Sequence, residues 1–238
     1  MIPMAIIINA KWRGPITCGA PNFDRFFHEV QRHTDAHPGV RADRATILYL
    51  GSVNGVAPDE PAIFTRWINA VRTAADPVLR EARIVIRPHP KARGSWQSWK
   101  PPDDPLLSID LPQKNKPVML ARLLLDADAA VALNTTAEIE AAIAGRPVVT
   151  FRAGADAPGQ EGLMHFYYLL EERGGFVIDS RNLDEHVLNL ARVLRGDYDP
   201  SPIRRFVERF VRPAGLSRPV SPLISAAVLE LASRPAPI

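Results

Sequence analysis

Residues 129–151 read Ala129-Ala-Val-Ala-Leu133-Asn-Thr-Thr136-Ala-Glu-Ile-Glu140-Ala-Ala-Ile-Ala-Gly145-Arg-Pro-Val-Val-Thr-Phe151. The apolar run Ala129–Leu133 is short and bounded by turn residues, as a buried strand is. Asn134-Thr135-Thr136 then supplies helix-starting side chains, Ala137–Ala144 has helical composition, and Gly145-Arg146-Pro147 stops that helix before the strand Val148–Phe151. Strand, cap, helix, glycine and strand within so short a segment make one complete parallel βαβ unit.

Working outward, the same alternation recurs. Thr46–Leu50 is a strand ending at Gly51-Ser52, and helical periodicity covers Asp59 to Ala75 with Ile63, Trp67, Ala70 and Val71 on one face. Arg83–Arg87 is a strand stopped by Pro88-His89-Pro90. Leu106–Ile109 reads as a short strand, Val118–Asp126 as a leucine-rich helix, and a loop spans Arg152–Gly162. An aromatic helix follows around Phe166–Tyr168, then a strand at Phe176–Ile178 and a helix over Leu183–Leu194. Two helical patterns separated by Arg212-Pro-Ala-Gly215 occupy the tail, and Arg234–Ile238 is expected to be loose. The expected fold is α/β: a Rossmann-like parallel sheet flanked by helices, with C-terminal helices. Residues 1–44 form an N-terminal strand and linker segment, 45–200 the Rossmann-like domain and 201–238 a helical tail.

Hydrophobic residues make up 46% of the 238 and charged ones 23%, enough for a core and against general disorder. The lone cysteine, Cys18, forms no internal disulfide, which fits a cytoplasmic location. The apolar run Met4–Ala10 is too short for a signal-peptide core, and no stretch reaches membrane-span length. The net charge of +3 comes from arginines scattered among acids, not gathered in a stripe. That pattern argues against nucleic acid and suits a small anion such as a nucleotide. GxSxG, P-loop, GxGxxG and CxxC motifs are absent, and His28, His33 and His37 lack carboxylates at ligand spacing, so no metal is expected.

Ligands of open parallel sheets bind beyond the carboxyl ends of the strands. Gly51-Ser52, Arg87-Pro-His89-Pro and Asn134-Thr135-Thr136 each follow a strand. Gly51 and Ser52 are expected to line the cleft, where a small residue lets a ligand approach the backbone. Thr135 and Thr136 begin a helix, whose free N–H groups and dipole favour phosphate. The alternative is that Asn134 or Thr135 only caps the helix. His89, stiffened by its prolines and flanked by Arg87 and Lys91, can donate to a phosphate or sit solvated. Glu140, one turn into the helix, can accept from ribose hydroxyls or be a surface acid. Glu138 projects on another face and is expected to be solvated.

At these residues the chain resembles the donor-binding C-terminal half of GT-B glycosyltransferases. Gly19-Ala-Pro-Asn-Phe-Asp24 resembles the linker region of capsule and teichoic-acid transferases. Arg87-Pro-His-Pro90 is similar to the His-Pro motif of polysialyltransferases and CDP-glycerol glycerophosphotransferases, whose histidine contacts the donor phosphate. Asn134-Thr135-Thr136 resembles their Ser/Thr pair, and Glu140–Val148 looks like the stretch whose glutamate binds ribose. The resemblance implies a bacterial surface-carbohydrate transferase of inverting type, with His89 catalytic. Gly51, Ser52, Arg87, Lys91, Asn134, Thr135, Thr136 and Glu140 would bind substrate. It implies a nucleotide-activated sugar or CDP-alditol as substrate with no further cofactor, a carbohydrate acceptor, and a peripheral position at the inner membrane. Only about 45 residues precede Thr46, so the acceptor half is expected to be a separate N-terminal GT-B domain. Non-hydrolysing UDP-N-acetylglucosamine 2-epimerases share the architecture and remain an alternative, as does a non-catalytic nucleotide-sugar-binding module.

Overall fold

The structure, a computed structural model, describes residues 5–6, 16–36, 43–111 and 117–233. A short antiparallel pair, β1 (Ala5–Ile6) and β2 (Ile16–Thr17), stands apart from the main sheet. The main sheet contains β3 (Thr46–Leu50), β4 (Arg83–Arg87), β5 (Leu107–Ile109), β6 (Ala129–Ala132), β7 (Val148–Val149) and β8 (Val177–Ile178), all parallel. Their order is β5-β4-β3-β6-β7-β8. The chain therefore starts in the middle, builds outward through β5, returns to pair β6 with β3, and builds outward the other way. This is the doubly wound order of a Rossmann fold, with its reversal between β3 and β6.

Burial follows the two-residue period of strands. Leu48, Leu50, Ala130, Ala132 and Val148 face one core, with Phe26 of α1 (Asp24–Ala36), Leu120 and Leu124 of α5 (Pro117–Asp126), and Ile139 of α6 (Ala137–Ile143). Ile47, Tyr49, Ile84, Ile86, Val131 and Val149 face the other, with Phe64, Trp67 and Val71 of α2 (Glu60–Thr73) and Leu190 of α8 (Leu183–Leu194). Strand β6 contributes mostly alanine, so volume on the second face comes from Tyr49, Phe64 and Trp67. Their rings meet at 4.9 to 5.4 Å, edge-on or tilted. Trp67 Nε1 donates to His186 Nε2 at 2.9 Å, and Nδ1 of that histidine faces Thr150 O at 3.3 Å. His186 is thus a satisfied core residue; burial drives its pKa down to about 4 against the opposing Thr150 hydrogen bond.

The helix boundaries have local causes. Gly145, at φ +71°, ends α6: its N–H reaches Ala142 O and the Arg146 N–H reaches Ala141 O, both at 2.9 Å. Asn182 caps α8 by accepting from Glu185 N at 2.9 Å, while Glu185 accepts from Arg181 N at 2.9 Å. Two short helices were not expected: α3 (Pro77–Arg80), capped by Asp76, and α4 (Arg93–Ser98). The aromatic segment forms α7 (Met164–Leu169), and the tail forms α9 (Ser201–Phe206), a π-turn at Val207–Val211 and α10 (Val220–Ala232). The expected loose end, Arg234–Ile238, lies outside the described residues.

Both flanking segments share the first core, to which Phe23, Phe26, Ile203, Phe206 and Val211 belong. They are tied by Asp24. Its carboxylate accepts from Val220 N (2.9 Å), Ser221 N (2.7 Å), Ser221 Oγ (2.7 Å) and Arg212 (3.1 Å). Burial would raise this carboxyl's pKa, but the Val220, Ser221 and Arg212 donors outweigh it and hold it below the usual value. The Arg212 guanidinium also lies over the Phe27 ring, 3.7 Å from its centroid. Gly19 (φ +99°) lets the chain pass Val211: a Cβ there would stand 2.4 Å from Val211 O. Asp24→Ala, which strands Arg212 and two backbone donors, is expected to cost about 2 to 4 kcal/mol in urea denaturation. Unchanged stability would show that this tie is dispensable.

Candidate functional site

The exits of β3 and β6 diverge at the reversal point and leave a crevice at the carboxyl edge of the sheet. Gly51 closes its floor. Its N–H donates to Arg87 O at 2.9 Å, and a Cβ would stand 2.8 Å from His89 N and 2.9 Å from Pro88 Cα. The absence of a side chain at Gly51 thus admits the neighbouring Pro88-His89 backbone. Ser52 departs from its expected cleft-lining place. It is fully buried, and its N–H is held by both oxygens of Glu60 at 3.0 and 2.9 Å. Tyr49 Oη donates to the same carboxylate at 3.3 Å. Burial pushes the Glu60 pKa up to about 8 despite the Ser52 N–H and Tyr49 Oη donors. Sequence reasoning missed Glu60 because an acid in a helix's first turn ordinarily faces water.

After β4, His89 is half-buried between its prolines, and the Lys91 N–H donates to its Nδ1 at 3.1 Å. With Nδ1 as acceptor, the neutral ring carries its proton on Nε2. Burial, and secondarily the charge on Lys91, hold its pKa below the usual 6.5. His89 is thus a neutral N–H donor on a short, stiff loop, while the Lys91 side chain is exposed. Arg87 forms an ion pair with Asp110, just past β5, and its side chain is only 12% exposed. Strand alternation places Arg87 on the same face as Val85, which packs against the first core. Across β3, Glu140 of α6 has its pKa raised to about 7 by burial, with Arg87 pulling the other way. Strand spacing puts the β4 and β6 exits about 10 Å apart.

At the end of β6, Thr136 is exposed and makes no side-chain cap. Glu138 is a correction: it is 2% exposed, not solvated, and its carboxylate reaches back to Thr135 N at 3.3 Å. The α6 start is packed into the sheet edge, so both Glu138 and the neighbouring Ile139 point inward. Burial lifts the Glu138 pKa to about 8, with the Thr135 N–H opposing. One N–H expected to face phosphate is therefore already engaged internally. Asn134 is buried, its Nδ2 donating to Gln160 O and its Oδ1 facing His165 Nδ1, both at 2.9 Å. Gln160 in turn donates to Leu133 O (2.9 Å) and Phe151 O (2.8 Å) and accepts from Ala153 N (3.0 Å). Gln160 and His165 carried no sequence signal, since contacts from so distant a loop have no periodicity.

The loops after β3 and β7 meet across β6. Gly159 N donates to Val56 O at 3.1 Å, and a Cβ on Gly159 would stand 1.9 Å from Gly55 O. Arg66 pairs with Asp156 at 2.5 Å nearby. Val56, Ala57 and Ala157 belong to the second core, so this contact roofs the crevice on the α2 and α8 side. The side carrying Arg87 and Glu140 is opposite. A separate apolar cavity of about 300 Å³, lined by Phe27, Ile143, Gly145, Ile203 and Leu216, adjoins the other end of α6 and contains none of the candidate residues. Among the described residues, no group of three His, Cys, Asp or Glu could hold a metal ion, and no helix is long and apolar enough to cross a membrane.

No family model matches the sequence, and no curated protein matches it. Solved structures do match. A UDP-forming α,α-trehalose-phosphate synthase from Burkholderia xenovorans is 12% identical, TM-score 0.53, with 91% of this chain and 52% of that chain covered. The UDP-GlcNAc 2-epimerase of Neisseria meningitidis, bound to UDP-GlcNAc, is 13% identical, TM-score 0.52, covering 90% and 55%. A putative UDP-N-acetylglucosamine 2-epimerase from Listeria monocytogenes is 12% identical, TM-score 0.52, covering 93% and 55%. The chain thus shares the α/β Rossmann-like fold of these structures, and it spans about half the length of the solved chains it resembles.

Two outcomes follow from this geometry. Gly159→Ala forces the β3 and β7 loops apart and is expected to lower the melting temperature by several degrees, about 1 to 3 kcal/mol; an unchanged melting curve contradicts the roof. Glu60 and Glu138 hold their protons to about pH 8 when folded, against a usual value of 4.5. Their effect on stability is therefore least unfavourable below 4.5 and grows as pH rises toward 8. Urea denaturation from about pH 5 to about pH 8 should show Glu138→Gln with a flatter decline than the parent chain. An identical slope would contradict the burial of that proton.

Proposed function

We propose that this chain is the nucleotide-sugar-binding half of a GT-B-type glycosyltransferase acting in bacterial surface-carbohydrate synthesis, with its acceptor half supplied by a second Rossmann-like domain. The observation that carries the reading is the reversal-point crevice, flanked on one side of β3 by Arg87 and His89 at the end of β4 and on the other by Glu140 in the helix that follows β6. Two supports follow from the fold. The crevice lies where doubly wound sheets bind nucleotides, and the solved structures with this fold include proteins named for UDP-GlcNAc and for UDP release.

In this reading the donor's phosphates lie between the β4 exit and the start of α6. His89 Nε2–H donates to a phosphate oxygen, and its neutral form keeps that donor available at neutral pH. As the glycosidic C–O bond breaks, charge grows on the departing phosphate; a fixed donor and the nearby Arg87 guanidinium stabilise that state more than the ground state. Asp110 holds Arg87 in place. Thr136 offers its hydroxyl and N–H at the helix start, Asn134 and Thr135 shape the turn, and Lys91 adds positive charge at the rim. Glu140 accepts the ribose hydroxyls, as its ionised form does best. The acceptor and the base that deprotonates it belong to the second domain.

Calorimetric titration with UDP, GDP, CDP and CMP tests the reading: at least one should bind, and failure of all four would overturn it. For the nucleotide that binds, Glu140 ionises near pH 7, so affinity is expected to rise from about pH 6 to about pH 8 and to do so less in Glu140→Gln, which should also bind roughly five- to tenfold more weakly. A pH dependence identical in the two proteins would remove Glu140 from the site. The epimerase reading keeps its place because two of the neighbours carry that name. It requires conversion of UDP-GlcNAc by this chain without any acceptor.

A further inference from the structure

Among the groups at the strand exits, Ser52 Oγ and His165 Nε2 are both buried without a hydrogen-bond partner, and only the His165 ring has its bonding sense fixed by its neighbours. Gln160 O is a backbone carbonyl and can only accept, so the Asn134 atom facing it at 2.9 Å is the amide nitrogen. Asn134 Oδ1 is therefore the atom facing His165 Nδ1 at 2.9 Å, and Nδ1 must carry a proton to bond it. Burial holds the His165 pKa below the usual value, favouring the neutral ring. The lone pair is then on Nε2, which is buried and has no hydrogen-bond partner. Gln160, itself fixed by Leu133 O, Phe151 O and Ala153 N, keeps Asn134 from flipping. The chain of bonds locks one tautomer, opposite to that of His89.

An acceptor lone pair selects its ligand. It repels phosphate and carboxylate oxygens, which lack protons, and takes a hydroxyl or an amide N–H. Within the nucleotide-sugar reading, on which this step rests, the phosphates are matched to His89 Nε2–H and the ribose hydroxyls to Glu140. The remaining donors are the N–H groups of the base and the hydroxyl or amide groups of the sugar, and pairing each sugar-bearing ligand with its bare nucleotide tells the two apart. We infer that His165 is a specificity-determining residue of the same crevice, its Nε2 accepting a hydrogen bond from a hydroxyl or acetamido N–H of the transferred sugar. The atom is closed to solvent, so the sugar reaches it as α7 yields; that helix is six residues long and is entered through Leu163 and Met164, 50% and 68% exposed.

Two substitutions separate binding from scaffolding. His165→Asn places an amide where Nδ1 was, keeping the bond to Asn134 while deleting the Nε2 acceptor. His165→Gln places an amide oxygen near the Nε2 position and gives up the Asn134 bond. Calorimetry uses matched pairs on the full chain: UDP-GlcNAc and UDP, GDP-mannose and GDP, CDP-glycerol and CDP. His165→Asn is expected to weaken the sugar- or alditol-bearing member of the binding pair roughly three- to tenfold while leaving the bare nucleotide unchanged, and His165→Gln is expected to restore part of that loss. A scaffolding role alone predicts the reverse, with His165→Asn harmless and His165→Gln weakening both members equally. Long-range 1H–15N NMR of the histidine rings reads the tautomer directly: an unprotonated Nε2 near neutral pH supports the inference, and a protonated Nε2 overturns it. If the parent chain binds none of the six compounds, the nucleotide-sugar reading falls and this inference with it. Binding by the parent that His165→Asn leaves intact for both members overturns this inference alone.

Discussion

The structure depends on one constraint: two neighbouring parallel strands, β3 and β6, send their chains in opposite directions. Parallel strands need crossovers, and right-handed crossovers running opposite ways put helices on opposite faces of the sheet. The β3 exit turns toward α2 and the β6 exit turns into α6 on the other face. Backbone leaves the sheet edge on both sides of that point, so a crevice forms without any side chain having to carve it. What side chains do is decide which of its walls are closed. Gly51 packs against the β4 exit, and the Gly55 to Gly159 contact closes the α2 side, so the polar groups collect on the α6 side.

Internal carboxylates fill part of what a bare fold would offer to an anion. Glu60 holds the Ser52 N–H and Glu138 the Thr135 N–H, each from a buried position with its pKa raised to about 8. These loops are thereby fixed before any ligand arrives, which lowers the ordering cost of binding. The cost is carried in stability, because each buried carboxyl opposes folding as it ionises. In the proposed reading, the groups left for a ligand are the His89 donor, the Arg87 charge, the Thr136 end of α6, and the Glu140 and His165 acceptors. They differ in sign and in hydrogen-bonding sense, as a ligand that is anionic in the middle and rich in hydroxyls at its ends requires.

The order of elements was legible because it rests on local patterns. Ala129–Ala132 and Thr46–Leu50 read as buried strands since both faces of a doubly wound sheet are covered, and Gly145 marked a helix end through its need for positive φ. The strand exits were legible for the same reason, so Arg87, His89, Asn134 and Glu140 could be singled out. Side-chain direction was not. Glu138 was assigned to water from helical spacing, yet the packing of α6 against the sheet edge turned it inward; Ser52 was assigned to the cleft, yet Glu60 drew it under the floor. Asp110, Gln160 and His165 act through partners 23 to 31 residues away in sequence, a separation at which no pattern survives.

The most direct measurement is a map of ligand-induced amide shifts in the 1H–15N NMR spectrum as UDP, GDP or CDP is added. The account predicts shifts confined to the carboxyl edge of the sheet, over Arg87 to Lys91 and Asn134 to Glu140 with the adjoining β7 loop. Shifts centred instead on the apolar cavity between Phe27, Ile143 and Leu216, or no shifts with any of the nucleotides, would contradict it.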